Sequence, residues 1–155
     1  MGKIYTALGL MSGTSMDGVD ASIISSTDGI EYDEKFNRYF EYDKGLYQKI
    51  SSIRDKIFTS QDLKKLSKEL KSLEKEITLF HAKVVNDVNH SVKKSTISRP
   101  EIIGFHGQTI FHNPDEKISL QLGDGKLLSQ LVKKTVVYDF RQNDLKNGGQ
   151  GAPLT

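Results

Sequence analysis

The sequence predicts an α/β fold: a mixed sheet opened by an antiparallel three-strand meander, then helices, then parallel strands. Three observations carry this. Six of the 13 glycines fall within residues 1–45, seven within 104–151, and none between 46 and 103. Glycine collects where the chain turns tightly or is approached closely, so the glycine-free middle reads as helix and the two ends as strands joined by loops. The middle carries apolar residues at a helical 3–4 spacing, whereas the ends carry short apolar runs. The length of 155 residues suits one domain with a real core.

In chain order, Ile4 to Leu10 and Val19 to Ile24 read as the first two strands, with the turn-type cluster Ser12 to Gly18 between them. Asp28-Gly29 marks a second hairpin turn. The aromatic stretch from Ile30 to Tyr42 reads as a third strand, the longest of the three, with Phe36, Arg38, Phe40 and Tyr42 on one face. Gly45 to Asp55 is a helix on the spacing of Leu46, Ile50 and Ile53. Thr59 or Ser60 can cap a longer helix over residues 59–94, whose stripe runs Leu63, Leu66, Leu70, Leu73, Ile77, Phe80, Val84, Val88. Unbent, such a rod would be roughly 50 Å long. It either packs along a sheet or seeks a partner helix. His81 and His90 on it are expected at the surface. Ile102 to Phe105 reads as a compact buried strand, Ile118 to Leu122 as another, Leu127 to Lys133 as a short helix and Thr135 to Tyr138 as the last strand. Helices between the later strands imply parallel crossovers.

Composition narrows the function classes. With no cysteine, a disulfide scaffold, thiolate metal sites and a thiol nucleophile are excluded. Neither a signal peptide nor an 18-residue apolar run is present, so a cytoplasmic protein with no membrane association is expected. The net charge is only +2, but residues 44–94 hold 12 Lys/Arg against 6 Asp/Glu. Those lysines interleave with the apolar stripe, which reads as the solvated face of a helix and not as a nucleic-acid surface.

Three loops carry candidate chemistry. Loop one spans Gly13, Thr14, Ser15, Met16, Asp17, Gly18, Val19 and Asp20. Its glycines would let backbone N–H groups approach an anion, and its hydroxyls can donate to phosphate oxygens. Asp17 and Asp20 would repel a bare phosphate but make sense around Mg²⁺, held directly or through water. An ordinary polar loop accounts for the pattern as well. A phosphate-binding G-x-x-x-x-G-K-[ST] run is missing, because Leu120 stands where the first glycine before Gly125-Lys126 should be, and G-x-G-x-x-G is absent too. Loop two, Gly104 to Thr109, follows the buried strand and would aim His106 into a cleft beside Gln108 and Thr109, since ligands in open α/β sheets bind beyond strand carboxyl ends. His112 lacks that context and reads as structural. Loop three runs from Asp139 through Arg141 and Asp144 to the glycines 148, 149 and 151. Arg141 could hold an acidic ligand group, and Asp139 and Asp144 could accept from sugar hydroxyls or hold Arg141 in place.

Four stretches in order resemble one family. They are residues 9–21 (Gly-Leu-Met-Ser-Gly-Thr-Ser-Met-Asp-Gly-Val-Asp-Ala), 104–109 with His112, 120–124 (Leu-Gln-Leu-Gly-Asp), and 137–141 running to 148–154 (Gly-Gly-Gln-Gly-Ala-Pro-Leu). Together they resemble the N-terminal part of the anhydro-N-acetylmuramic acid kinases. The resemblance implies an actin-like ATPase (ribonuclease H-like) lobe, here the first of two lobes, with the second lying outside this sequence. It implies ATP and Mg²⁺ as cofactors and an amino sugar as substrate. The anhydro ring would be opened by water and O6 phosphorylated, giving N-acetylmuramic acid 6-phosphate in peptidoglycan recycling. By this resemblance residues 13–20 bind the ATP phosphates, Asp17 and Asp20 serve the metal, and His106, Gln108, Asp139 and Arg141 position the sugar. The catalytic base of the family lies in a Gly-Phe-Asp-x-Gly-Pro-Gly-Asn segment, which does not occur here and is expected downstream of Thr155, so the 155 residues alone are expected to be inactive. The resemblance leaves room for a homodimeric parent. Two other readings compete: a different actin-like ATPase or sugar kinase, and a non-catalytic module that binds a partner through the 59–94 helix.

Overall fold

The computed structural model describes residues 3–152. Pro153 and Leu154 of the last motif lie outside the described residues. The meander is β1 (Tyr5–Ser12), β2 (Gly18–Ser26) and β3 (Asp33–Glu41). Leu8 and Leu10 on β1 and Val19, Ala21 and Ile23 on β2 are almost wholly buried, the alternation of a half-buried strand. At nine residues each, β2 and β3 match, so β3 is not the longest of the three. The turn between them is tied by the Asp28 carboxylate, which accepts from the N–H groups of Ile30 and Glu31.

Helix α1 (Lys44–Arg54) starts at Asp43, whose side chain accepts from the Leu46 N–H. The expected single long helix is broken. A capping box between Thr59 and Asp62 opens α2 (Ser60–Lys65), Leu66 leaves the helical conformation at ψ 13°, and α3 runs over Ser67–Val92. Leu70, Leu73, Ile77, Val84 and Val88 are buried in the same core as β1 and β2. The apolar stripe is therefore covered within the chain and needs no partner helix. His90 is exposed as expected, but His81 is 0% exposed, the opposite of the surface position expected for it.

After the helices come β4 (Ile102–Asn113), β5 (Ile118–Leu122), α4 (Gly125–Val132), β6 (Thr135–Tyr138) and α5 (Gln142–Lys146). The sheet order is β3-β2-β1-β4-β5, with β6 also on β4. β4 runs parallel to β1 and to β6 and antiparallel to β5. β6 takes the first half of β4, residues 102–105, and β5 the second half. The mixed α/β sheet and its meander are thus as the sequence predicts. The parallel trio β1, β4 and β6 runs one way, and the carboxyl ends of β1 and β6 carry loops one and three on either side of β4, which continues past them to Asn113. No helix among the described residues is long and apolar enough to cross a membrane.

Candidate functional site

Loop two is not a loop. The strand expected to stop at Phe105 continues to Asn113, so His106, Gly107, Gln108 and Thr109 lie inside β4. The glycine flanks that suggested a loop mark a bulge. Gly107 has φ +75°, and a Cβ there would meet the Leu122 carbonyl oxygen of β5. Next to it, the register of β4 against β1 shifts between Leu10 and Ser12. The irregular segment sends His106 and Gln108 to different loops.

Gln108 faces loop one. It is 0% exposed, and its amide nitrogen donates to the Gly13 carbonyl at 2.6 Å and to the Thr109 carbonyl at 3.1 Å. Both partners can only accept, which fixes the amide orientation and leaves Oε1 to accept from the Tyr42 hydroxyl at 3.2 Å. The same hydroxyl lies 3.0 Å from Ser12 Oγ, which lies 3.2 Å from His81 Nε2. His81 Nδ1 sits 2.8 Å from the Ile77 carbonyl. Because that carbonyl only accepts, neutral His81 carries its proton on Nδ1 and Ser12 donates to the bare Nε2. Burial favours the neutral ring and pushes its pKa down to about 4. The ring packs edge-on to Phe105, with centroids 4.9 Å apart. Sequence reasoning missed Ser12, Tyr42 and His81. The signal for His81 was present: it stands four residues after Ile77 on the apolar stripe.

Loop one itself is nearly free of internal bonding. Its backbone bond runs from Met16 N–H to the Gly13 carbonyl at 3.3 Å, with Met16 at φ +58°. The N–H groups of Thr14 and Ser15 make no hydrogen bond among the described residues. Both residues are exposed, as is Asp17. Ser15 Oγ donates to the Asp17 carboxylate at 2.6 Å, which holds that carboxyl below its ordinary pKa. The Tyr39 hydroxyl is pushed up to about 12, first by its surroundings and then by the neighbouring Asp17 carboxylate. Gly18 is required for packing, since a Cβ there would strike the Phe40 carbonyl and the Tyr39 ring. Val19 and Asp20 belong to β2: the Val19 side chain is buried in the core, while Asp20 stands exposed, paired opposite Met11. Free N–H groups, an exposed Thr14 hydroxyl and ionised carboxylates are a donor set that fits a phosphate accompanied by a divalent cation.

His106 faces loop three. Its Nδ1 donates to the Gly107 carbonyl at 2.8 Å, and its Nε2 accepts from Arg141 Nε at 3.1 Å. Burial, and then the Arg141 charge, lower its pKa and keep it neutral. Arg141 Nη1 donates to the Gly151 carbonyl. Asp144 does not hold Arg141, as one reading of the sequence had it. Its carboxylate accepts from the Gly151 N–H at 2.7 Å, and its carbonyl accepts from the Gly149 N–H. The expected open loop contains α5, whose Leu145 is 1% exposed and whose Gln142 side chain donates to the Ser119 carbonyl at 2.8 Å. Asp139 is exposed at φ +61° at the mouth of the loop. His112 pairs with Ser119 at 3.0 Å, the structural role expected.

Loops one and three thus follow β1 and β6, the two strands that flank the first half of β4, and residues 106–108 of β4 contact both. The family model for anhydro-N-acetylmuramic acid kinase matches residues 5–155. Among curated relatives, an anhydro-N-acetylmuramic acid kinase of Pelagibacter ubique is 56% identical over 154 residues, which cover 99% of this chain and 40% of the relative. The kinase of that name from Agrobacterium fabrum is 40% identical over 157 residues, and that from Rhizobium etli 39% over 155, each match covering 99% of this chain and 41% of the relative. The chain spans about 40% of the length of the curated relatives it matches.

Proposed function

The chain belongs to the anhydro-N-acetylmuramic acid kinase family, and on that premise we propose that it is the N-terminal lobe of a two-lobe cytoplasmic enzyme that phosphorylates 1,6-anhydro-N-acetylmuramic acid. In the reaction water adds to the anomeric carbon, the bond from that carbon to O6 breaks, and O6 takes the γ-phosphoryl group of ATP. The products are N-acetylmuramic acid 6-phosphate and ADP, and the proton of the attacking water passes to a general base.

Loop one is the phosphate-binding element in this reading. The Thr14 and Ser15 N–H groups and the Thr14 hydroxyl would meet phosphate oxygens, while Asp17 and Asp20 would hold Mg²⁺ directly or through water. When bound, the ion neutralises charge developing on the transferred group. His106 and Arg141 shape the sugar side of the cleft, with exposed Asp139 the freest of the three to take a sugar hydroxyl. Gln108, whose three amide bonds are all made within the protein, supports loop one instead. We place the general base in the Gly-Phe-Asp-x-Gly-Pro-Gly-Asn segment, outside these residues. A homodimeric parent belongs to the same proposal.

The observation that carries the reading is the convergence of loops one and three, at the carboxyl ends of β1 and β6, on residues 106–108 of β4 between them; ligands of open α/β sheets bind beyond strand carboxyl ends. The test is incubation of the parent enzyme, at the length of its relatives, with ATP and the anhydro sugar. Mass spectrometry should find a product that has gained one water and one phosphoryl group, and none from residues 1–155 alone. Absence of product from the parent overturns the reading; preferential turnover of another sugar moves the enzyme to a different member of the superfold. Turnover by residues 1–155 alone overturns the placement of the base.

A further inference from the structure

Loop one has five residues between its strands and little internal bonding, yet its free N–H groups must point at one spot if they are to bind phosphate. What holds it lies underneath. At its start, the Gly13 carbonyl accepts from the buried Gln108 amide. At its end, the Asp17 carbonyl accepts from the Tyr42 backbone N–H at 2.8 Å. The Tyr42 hydroxyl then closes the frame, facing both Gln108 and Ser12, and Ser12 is backed by His81 on α3. Tyr42, Gln108, Ser12 and His81 are each at most 4% exposed, and they arrive from four different elements or their ends. A buried polar group is costly unless paired, and here the Tyr42 hydroxyl pairs Gln108 Oε1 and the Ser12 hydroxyl pairs His81 Nε2, with the two hydroxyl oxygens 3.0 Å apart.

We propose that Gln108 and Tyr42, backed by Ser12 and His81, are positioning residues for phosphate binding: they aim the Thr14 and Ser15 N–H groups without touching the nucleotide. The proposal rests on loop one being the phosphate-binding element. Removing the Gln108 amide takes the 2.6 Å bond from the half-buried Gly13 carbonyl and leaves it only the longer one from the Met16 N–H at 3.3 Å. The backbone would rotate it toward water and swing the adjoining N–H groups off their target, so that preorganisation is lost on the nucleotide side alone. The sugar side, held through His106 and Arg141, uses neither residue.

The test uses the parent enzyme with Mg·ATP as probe, in calorimetric titration and in steady-state kinetics. Gln108→Leu should raise the KM and Kd for Mg·ATP about tenfold and Tyr42→Phe about threefold, while the KM for the sugar stays within about twofold. The double variant should resemble Gln108→Leu, because one frame is broken once. Equal rises in both KM values, unchanged KM values with only a smaller active fraction, or effects that multiply would each overturn the proposal. Should Gln108→Leu fail to fold, Tyr42→Phe decides alone, since it keeps the ring edge on Phe80. A wild-type parent that takes up no Mg·ATP overturns the phosphate-binding reading and the positioning role with it. A wild type that binds while Gln108→Leu binds equally well overturns the positioning role only.

Discussion

Loop one is held from outside, by Gln108 and Tyr42, and keeps its own N–H groups and the Thr14 hydroxyl exposed. Loop three is held from inside: Arg141 and Asp144, the charged residues that looked most ready for a ligand, are bonded to His106 and to Gly151 at the far end of the same loop. A charged residue in a glycine-rich loop is thus as readily the brace of that loop as its binding group, and only the partner tells which. The comparison predicts that side-chain deletion acts on stability in loop three and on ligand binding in loop one.

The largest effect follows from Arg141→Ala. It removes the donors to His106 Nε2 and the Gly151 carbonyl, two charge-assisted bonds. Arg141 is only part-buried, so water recovers some of the loss. A stability decrease of about 2–3 kcal/mol in denaturant titration is expected, with residues 139–152 opening to protease. Thr14→Ala should stay within about 0.5 kcal/mol. Equal losses from the two substitutions would erase the distinction between the loops.

Each loop also rests on a neutral buried histidine, His81 through Ser12 under loop one and His106 through Arg141 under loop three. Both pKa values are lowered in the folded protein, that of His81 to about 4. Below about pH 6.5 the unfolded chain takes up protons that the folded one refuses. The stabilisation is therefore whole above that pH and falls as pH drops through the window toward 4. For His81 the loss should be on the order of 1–2 kcal/mol between pH 6.5 and 5. Denaturant midpoints across this range should slope downward in acid, and His81→Phe should flatten the slope. If it leaves the slope unchanged, His81 is not the neutral support of loop one.

The sequence was legible where one period ruled a segment. The short apolar runs Ile4 to Leu10 and Val19 to Ile24 give the first two strands, and the turn cluster between them gives loop one. It misled where one residue type serves two physical ends. Gly107 suits a loop after a strand that stops at Phe105 and a bulge in a continuous strand alike, so the sequence alone ends β4 at Phe105 and leaves Gln108 free to face a ligand. The glycines at 148, 149 and 151 hid α5, although Leu145, buried beneath Gly151, is what fixes that turn. The polarity of His81 points to the surface, while its position, four residues from Ile77, puts it in the core. The frame under loop one is not legible at all: its bonded partners are 30 to 69 residues apart in sequence, and only the fold brings them together.

The smallest effect is the sharpest test of loop one. Ser15→Ala removes the hydroxyl that donates to Asp17, the principal cause of that carboxyl's lowered pKa. Both side chains are exposed, and solvent replaces the lost bond, so stability should change by less than about 0.5 kcal/mol. The Asp17 carboxyl, followed by its NMR titration, should move back up toward the ordinary aspartate value. Affinity for Mg·ATP should fall if the carboxylate needs that orientation to serve the cation, and the fall should be unaccompanied by any loss of fold. A stability loss comparable to that of Arg141→Ala would mean that loop one is braced by its own side chains after all, and that the two loops differ in sequence but not in construction.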